Sequence, residues 1–184
     1  MKKVIVVGSH GTGKSVLSER LVEECRSVFP LKKIGVLDGL ADTVRKRGHK
    51  LNVFESQSQA IRAQLLLLRL YLDAIRSAES DILIVPDNVV RQLVYSDYNS
   101  MPHEWLDLLR YYLKDELRDA IVLYVPIEFA LPWDRHPSPT FHKQIDEMTL
   151  ELLEDHNVPY VTVKGDVETR VKTAVEAIRG FCES

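Results

Sequence analysis

A lysine and a serine that follow closely spaced glycines form the segment of this chain with the clearest chemical capacity. The segment is Gly8-Ser9-His10-Gly11-Thr12-Gly13-Lys14-Ser15, and it fits the spacing G-x-x-x-x-G-K-[ST] at every fixed position. In such a loop the glycines let backbone N–H groups turn toward an anion, and the start of the following helix adds partial positive charge. We therefore expect the segment to bind the phosphates of a nucleoside triphosphate. ATP with Mg²⁺ is the expected pair, and GTP stays open as the alternative nucleotide.

The positions of this loop have separate expected tasks. Lys14 should reach the β- and γ-phosphates and act in catalysis, and the Ser15 hydroxyl should be a ligand of Mg²⁺. The residues expected to contact the nucleotide are Gly8, His10, Gly11, Thr12, Gly13, Lys14, Ser15 and Val16. Within this set we expect the His10 side chain to point to solvent, acting neither as a ligand nor as a base.

Two aspartates that follow apolar segments are the candidate acids of the site. Asp38 follows the apolar segment 33–37, and Asp87 ends the segment 81–87. Asp38 is the candidate catalytic base, because a carboxylate there could accept the proton of an acceptor hydroxyl. Asp87 is the candidate carboxylate of the Mg²⁺ shell. For each aspartate the alternative is a structural role, as the N-cap of the helix that follows it.

A proline-containing segment over residues 128–142 is the candidate lid. It contains Pro132, Pro137 and Pro139 on either side of Arg135. Phosphoryl transfer requires positive charge on the transferring group and exclusion of water, and a mobile loop with an arginine supplies both. Arg135 is therefore the candidate catalytic arginine, with Arg91 as the second choice. A solvated surface arginine is the alternative for each.

A basic cluster follows the second apolar segment. Its members are Arg45, Lys46, Arg47, His49 and Lys50. Two interpretations are open. The cations could complement the C-terminus of a short helix on a solvated face, or they could form a patch for the phosphates of an acceptor.

Strands that alternate with helices must position these residues. Apolar segments near 4–7, 33–37, 81–87, 120–125 and 159–163 predict five strands. Apolar residues at helical spacing predict helices near 14–26, 53–80, 102–117, 141–152 and 167–181, with a short helix over 38–48. This alternation predicts a three-layer α/β/α fold of the P-loop NTPase class, in which a five-stranded parallel sheet lies between two layers of helices and a lid covers the site. We expect one domain over residues 1–184.

The composition excludes several classes of protein. The chain has 184 residues, of which 45% are hydrophobic and 28% charged, as in a soluble globular domain. The formal net charge of −3 provides no global positive field, so contact with nucleic acid would need a local patch. The longest apolar run, residues 65–68, is far too short to span a membrane, and no signal peptide follows Met1. We expect a cytoplasmic protein without a membrane partner.

Several of these residues together resemble the small P-loop kinases grouped with the ribosylnicotinamide kinase domain of bacterial NAD regulators. That group has an acid after its second strand in the pattern E-x-A-R, where this chain keeps the acid as Asp38 and lacks the arginine. Its third strand ends in Asp-Arg with a tyrosine further on, and here the segment is Asp87-Asn88 with Tyr95. Gln64 matches a glutamine of the long helix. The resemblance implies an ATP-dependent kinase that binds a nucleoside-like acceptor, with Tyr95 and with Arg45 or Arg91 in place of the missing arginines.

The C-terminal third is similar to a narrower group, the phage-encoded P-loop kinases that phosphorylate 5-hydroxymethylpyrimidines in DNA. The similar segments are residues 124–129 and 158–160. This resemblance implies a modified DNA base as the acceptor, and a phage protein at work in the host cytoplasm. An enzyme that acts on a base in DNA takes it out of the stack and holds it between flat side chains. The aromatic residues in or beside the segments expected to rim the site are Tyr95, Tyr98, Trp105, Trp133 and Phe141.

Two other functions remain open. A kinase of free nucleosides or nucleotides, as in ribosylnicotinamide salvage, would carry the same motifs. A P-loop NTPase that hydrolyses slowly and acts as a nucleotide-dependent switch belongs to a different class. The predicted base Asp38 and the predicted lid arginine Arg135 favour transfer to a hydroxyl over a switch. Release of ADP that is stimulated by an acceptor would separate the two classes, because a switch would show none.

Overall fold

The elements of the protein follow the alternation that the sequence predicts. The computed structural model describes residues 1–51, 56–86, 88–128 and 138–183. In chain order the elements are β1 (Lys2–Val7), α1 (Lys14–Val28), β2 (Ile34–Val36), α2 (Leu40–Lys46), α3 (Gln57–Ser77), β3 (Ile82–Val85), α4 (Val89–Tyr98), α5 (His103–Leu117), β4 (Ala120–Tyr124), α6 (Pro139–Asp155), β5 (Tyr160–Thr162) and α7 (Val167–Glu183).

The strands form one parallel sheet in the order β2-β3-β1-β4-β5. The central strand β1 pairs with β3, with Lys2 opposite Ile82, and with β4, with Lys3 opposite Ala120. Parallel strands all end at the same edge of the sheet, so the segments after β1, β2 and β3 lie along one edge. This confirms the predicted α/β fold, and the segments that follow β1 and β2, with the phosphate-binding motif and Asp38, lie at the carboxyl edge.

Alternate side chains of β1 reach two separate cores. Ile5 and Val7 pack on one face with side chains from α3, α4 and α5, whereas Val4 and Val6 pack on the other face with side chains from α1 and α7. All four are at most 2% exposed. A strand covered on both faces has no polar alternation, which is why residues 4–7 of β1 are all apolar.

Helix α3 has apolar residues on two sides because α2 lies over it. Val44 of α2, Leu51, and Ala63 and Leu67 of α3 form a separate small cluster. The Ser56 hydroxyl caps the helix by accepting a hydrogen bond from the Gln59 N–H. The helix runs from Gln57 to Ser77, between the cap residues Ser56 and Ala78, so it is shorter at both ends than the predicted helix over 53–80.

Helix α4 is an element that the sequence analysis did not delimit. Seven of its ten residues are buried, so it lacks the polar face that makes an amphipathic pattern visible. Its first turn is fixed by two acceptors. The Asn88 side chain accepts from the Arg91 N–H, and the buried Glu116 carboxylate accepts from the N–H groups of Val89 and Val90. Burial raises the pKa of Glu116, and these hydrogen bonds act in the opposite direction.

Only part of the predicted lid lies in the described residues. Residues 129–137 fall outside them, and with them Arg135. The Ser138 hydroxyl caps α6 by accepting from the Phe141 N–H, and residues 139–142 form the first turn of that helix. The helix therefore begins two residues earlier than predicted. No helix in the described part of the chain has the length and apolar character needed to cross a bilayer.

Candidate functional site

The glycines of the loop at residues 8–15 are required by its backbone. Gly8, Gly11 and Gly13 have φ angles of 137°, 70° and 92°, in the region that residues with a Cβ rarely adopt. Gly8 also has no room for a side chain, because an added Cβ would lie 2.3 Å from the carbonyl oxygen of Val125. The loop backbone thus favours glycine at these three positions, and two of them, Gly8 and Gly13, are the fixed glycines of the motif.

Lys14 lies against this loop. It is the first residue of α1, is buried, and donates a hydrogen bond from Nζ to the carbonyl oxygen of Ser9. The Thr12 hydroxyl donates to the same carbonyl at 3.1 Å. Ser15 beside it is exposed, and Val16 is 50% exposed. The ammonium group is therefore held against the loop backbone, next to the exposed residue Ser15.

The His10 side chain does not point to solvent, so that expectation is wrong. Its ring lies 5.3 Å from the Tyr95 ring and 6.5 Å from the Phe141 ring, measured between centroids. Its Nδ1 lies 3.5 Å from Nη2 of Arg91. Burial, followed by the positive charge of Arg91, lowers the pKa of His10 to about 3. A neutral imidazole therefore joins the loop to α4 and α6.

Helix α6 contacts the loop through two further side chains that the sequence analysis missed. His142 is buried, and its Nδ1 lies 3.3 Å from the Ser9 hydroxyl. One turn later, Asp146 accepts a hydrogen bond of 2.6 Å from the Tyr124 hydroxyl. Burial raises the pKa of Asp146, while hydrogen bonds from Tyr124 and the Ser9 N–H act in the opposite direction. The spacing i, i+4 places both residues on one helix face, which is the signal that could have found them.

Arg170 of α7 clamps the loop from the other face of the sheet. It is 5% exposed, and its Nη1 donates to the Thr12 carbonyl at 2.5 Å while its Nη2 donates to Glu128 at 2.5 Å. The Glu128 carboxylate also accepts from the Gly165 N–H, with both oxygens at 2.9 Å. The guanidinium group of Arg170 holds the pKa of Glu128 below its usual value. Nothing in the sequence around Arg170 indicates this contact.

A cavity of about 310 Å³ lies between the loop and α7, and we call it the loop–α7 cavity. Its walls are mostly apolar, and it is lined by Gly11, Thr12, Gly13, Val16, Leu17, Gly165, Asp166, Val167 and Arg170. Val16 and Val167 are 50% and 40% exposed, so apolar surface faces the open space. Asp166 is engaged at the start of α7, where its carboxylate accepts from the Thr169 N–H at 2.8 Å.

A second cavity lies between α2, α3 and α4, and we call it the α2–α4 cavity. It is lined by Ala41, Arg45, Leu51, Gln64, Leu67, Asn88, Arg91, Gln92 and Tyr95. The three residues predicted to bind the acceptor, Arg45, Arg91 and Tyr95, therefore line one space. Arg45 also pairs with Asp42 at 2.5 Å. Burial raises the pKa of Tyr95 to about 12, so its phenol stays protonated at neutral pH.

The two candidate acids differ in what the structure describes of them. Asp38 is exposed after β2 and accepts a hydrogen bond of 2.7 Å from the Gly39 N–H. Gly39 is the N-cap residue of α2 and Asn88 is that of α4, so neither N-cap position belongs to an aspartate. Asp87 lies outside the described residues, as does Arg135, and their roles stay predictions.

Among the described residues, a magnesium ion at this site would be bound together with the phosphates of a nucleotide. Within the described ranges there is no group of three or more His, Cys, Asp or Glu side chains that could hold a metal. Mg²⁺ is usually bound by one or two protein ligands together with substrate phosphates and water. The exposed Ser15 hydroxyl at the loop suits such an ion.

Comparison with known proteins defines the family. A family model described as an AAA domain matches residues 3–170, so the chain belongs to the AAA domain family. No curated protein sequence matches the chain significantly.

Solved structures show the same fold at low identity. The chain is similar to the NadR protein in complex with NAD and AMP-PNP, with 18% identity and a TM-score of 0.68, and to the NadR protein in complex with NR, with 17% and 0.67. In both cases all of this chain matches 50% of the NadR chain. It is also similar to thymidylate kinase from Ehrlichia chaffeensis, with 16% identity, a TM-score of 0.69 and 97% of each chain covered. The fold is therefore that of P-loop kinases, and the chain spans half the length of the NadR structures it matches.

Proposed function

We propose that the protein is a phosphotransferase that moves the γ-phosphate of ATP, bound with Mg²⁺, to a hydroxyl group of a nucleoside-like acceptor. The placement of two cavities beside one loop carries the proposal. Gly11 and Gly13 line the loop–α7 cavity. His10 of the same loop contacts Tyr95 and Arg91, which line the α2–α4 cavity. A transferase needs this arrangement, because its donor and acceptor must meet at the phosphate.

ATP is supported as the donor by the loop and by the loop–α7 cavity. The three glycines with positive φ give the loop the backbone that a phosphate requires. The cavity next to it is mostly apolar and has the volume to hold a nucleobase. The fold also matches that of the NadR protein, which was solved with the ATP analogue AMP-PNP.

The residues of the site divide the chemistry among them. Lys14 stabilises negative charge on the transferring phosphate, and Ser15 with Asp87 holds the Mg²⁺. When bound, that ion neutralises charge on the phosphate oxygens. Asp38 accepts the proton of the attacking hydroxyl. Arg135 supplies a second positive charge from the lid.

Substitution of the two acids separates their roles. Asp38→Asn should lower the transfer rate even at saturating Mg²⁺, whereas Asp87→Asn should raise the Mg²⁺ concentration needed for half-maximal rate. Rates measured across a Mg²⁺ titration distinguish these outcomes. If excess Mg²⁺ restores Asp38→Asn and not Asp87→Asn, the two assignments are reversed.

The acceptor that we propose more specifically is a 5-hydroxymethylpyrimidine base in DNA. The similarity of residues 124–129 and 158–160 to phage kinases of this specificity supports it, as do the basic residues 45–50. The aromatic rings of Tyr95 and Phe141 lie beside His10, close to where a flipped base would have to enter. The fold similarity to NadR and to thymidylate kinase supports the alternative of a free nucleoside or nucleotide.

Transfer of labelled γ-phosphate tests the proposal. The acceptor panel contains nucleosides, nucleotides, and DNA with and without 5-hydroxymethylpyrimidines. Activity on DNA should fall as salt rises, and Arg45→Ala with Arg47→Ala should flatten that dependence, since phosphate contacts release counterions. Phosphorylation of a free nucleoside with the modified DNA left untouched would move the function to salvage. ADP release that no acceptor stimulates would favour the nucleotide-dependent switch.

A further inference from the structure

Ser9 is the buried residue at which the loop at residues 8–15 meets helix α6. It is 0% exposed. Its carbonyl oxygen accepts hydrogen bonds from Nζ of Lys14 and from the Thr12 hydroxyl, the second at 3.1 Å. Its own hydroxyl lies 3.3 Å from Nδ1 of His142, which belongs to α6 and is 4% exposed. One residue therefore contacts the ammonium group of the loop on one side and a buried imidazole on the other.

Helix α6 is itself fixed to the sheet on the same helix face. One turn after His142, the Asp146 carboxylate accepts a hydrogen bond of 2.6 Å from the hydroxyl of Tyr124. Tyr124 ends β4 and lies opposite Val7, the last residue of β1 before the loop. Ile145, which precedes Asp146, is 1% exposed. The position of the His142 ring is therefore set by the sheet and by the packing of α6.

We propose that His142 is a positioning residue for phosphoryl transfer, which acts through Ser9 on Lys14. The inference rests on the proposed function, in which Lys14 stabilises charge on the transferring phosphate. A charged group is most effective in this task when its position is fixed before the reaction. The contact with α6 holds the Ser9 hydroxyl, and with it the residue whose carbonyl oxygen holds Lys14. In this role His142 acts on the position of the lysine and takes no part in the chemistry itself.

Two substitutions of His142 separate positioning from the filling of space. His142→Leu removes the hydrogen bond and keeps a large apolar side chain, whereas His142→Asn is smaller and keeps an amide that can bond to the Ser9 hydroxyl. The kcat for transfer should fall about 5–10-fold in His142→Leu and recover to within about 2-fold of wild type in His142→Asn. If the ring only filled space, leucine would be the better replacement. A kcat for His142→Asn no higher than that of His142→Leu would therefore overturn the inference.

The affinity for ATP should separate from kcat in these variants. Calorimetric titration should show a change of less than about 2-fold, because the loop backbone still binds the phosphates and the lysine matters most in the transition state. Lys143→Leu is the control, because that side chain neighbours His142 and is 78% exposed. It should match the wild-type protein in kcat and in ATP affinity.

Ser9→Ala tests the other end of the same contact. It removes the hydroxyl and keeps the carbonyl that accepts from Lys14. It should lower kcat by a factor similar to that of His142→Leu, and the double variant should lose little more, because the two side chains act as one unit. A loss in the double variant equal to the product of the two single losses would contradict this coupling.

Acetylation of Lys14 in the nucleotide-free protein tests the positioning without a measurement of activity. Trace labelling with acetic anhydride, followed by peptide mass spectrometry, gives the reactivity of each lysine. Lys14 is buried and donates to the Ser9 carbonyl, so it should react slowly in the wild-type protein, in His142→Asn and in Lys143→Leu. In His142→Leu its acetylation should be about 3-fold faster or more. Equal rates in His142→Leu and Lys143→Leu would refute the role of His142.

Failure of this inference can be told apart from failure of the proposed function. Phosphate transfer by His142→Leu at the wild-type rate would retain the phosphotransferase and reject the positioning role. Faster acetylation of Lys14 in His142→Leu, with no phosphate transferred to any acceptor by the wild-type protein, would retain the contact and reject the phosphotransferase.

Discussion

Replacement of Arg170 by methionine should both destabilise the fold and weaken nucleotide binding. Arg170 is 5% exposed, and its guanidinium group bridges the Thr12 carbonyl, in the phosphate loop, to the Glu128 carboxylate. Methionine fills a similar volume but donates no hydrogen bond. The Thr12 carbonyl would then lose this donor, and Glu128 would keep the Gly165 N–H among the contacts that the described residues make with it. Because the loop backbone must keep its shape to bind phosphates, nucleotide affinity should fall together with stability.

The size of the effect follows from these contacts. A hydrogen bond to a charged group contributes about 1.5–3 kcal/mol, and the Glu128 side chain is 26% exposed, so water recovers part of that loss. We expect a decrease of about 2–4 kcal/mol in the free energy of unfolding. For a chain of this length that corresponds to a melting temperature lower by about 4–16 °C.

The pH dependence of this loss of stability tests the role of the Arg170–Glu128 contact a second time. The pKa of Glu128 is lowered in the folded protein below its usual value of 4.5, chiefly by Arg170. Its contribution is therefore present above pH 4.5 and is lost as the pH falls through the folded value. The difference in stability between wild type and Arg170→Met should be largest near neutral pH and shrink below about pH 4.5.

Urea unfolding at pH 7 and pH 4 measures this difference, with the exposed Arg179→Met on the same helix as control. A double-mutant cycle with Glu128→Gln should give a coupling free energy of about 1–2 kcal/mol. If Arg170→Met matches Arg179→Met in stability and in ATP affinity, the clamp contributes nothing and the reasoning is refuted.

Two further perturbations test the phosphate loop. Gly8→Ala should lower the free energy of unfolding by about 3 kcal/mol or more and abolish nucleotide binding, because residue 8 has a φ angle of 137° and an added Cβ would collide with the Val125 carbonyl. The control is Gly180→Ala in α7, where an added Cβ meets no atom within 4 Å. This control should raise stability by up to about 1 kcal/mol in thermal melts. His10→Phe should reduce the loss of stability on acidification. The pKa of His10 is about 3 in the folded protein and 6.5 in the unfolded chain, so the wild-type protein should lose stability as the pH falls from 6.5 toward 3. Thermal melts that show the same loss in His10→Phe and in the wild-type protein would contradict the burial of His10.

The parts of the fold that the sequence predicted are those with a local signal. Uniform apolar segments predicted β1 and β3 because these two central strands are buried on both faces. The glycine spacing predicted the phosphate loop because each glycine has a positive φ angle that the loop itself requires. The neighbouring helix α4 was not delimited because most of its residues are buried, which removes the polar face that periodicity needs.

The parts of the site that the sequence did not predict depend on distant contacts. Arg170 meets the Thr12 carbonyl across 158 positions of sequence. The surroundings of His10 come from α4 and α6, so its burial could not be read from the loop alone. In contrast, the resemblance to other kinases indicates Arg91 and Tyr95 as acceptor-binding residues, and both line the α2–α4 cavity.

The most direct test of the central claim is labelled γ-phosphate transfer by Lys14→Ala. Its Nζ donates to the Ser9 carbonyl, so loss of the side chain removes this contact with the loop, and Lys14 is not part of either apolar core. Lys143→Ala is the control, because that side chain is 78% exposed on α6. We predict a folded Lys14→Ala protein by thermal melt, with transfer to the wild-type acceptor reduced by about 10²-fold or more and Lys143→Ala unaffected. Transfer by Lys14→Ala at the wild-type rate would contradict the assignment of residues 8–15 as the phosphate-binding loop of a phosphotransferase.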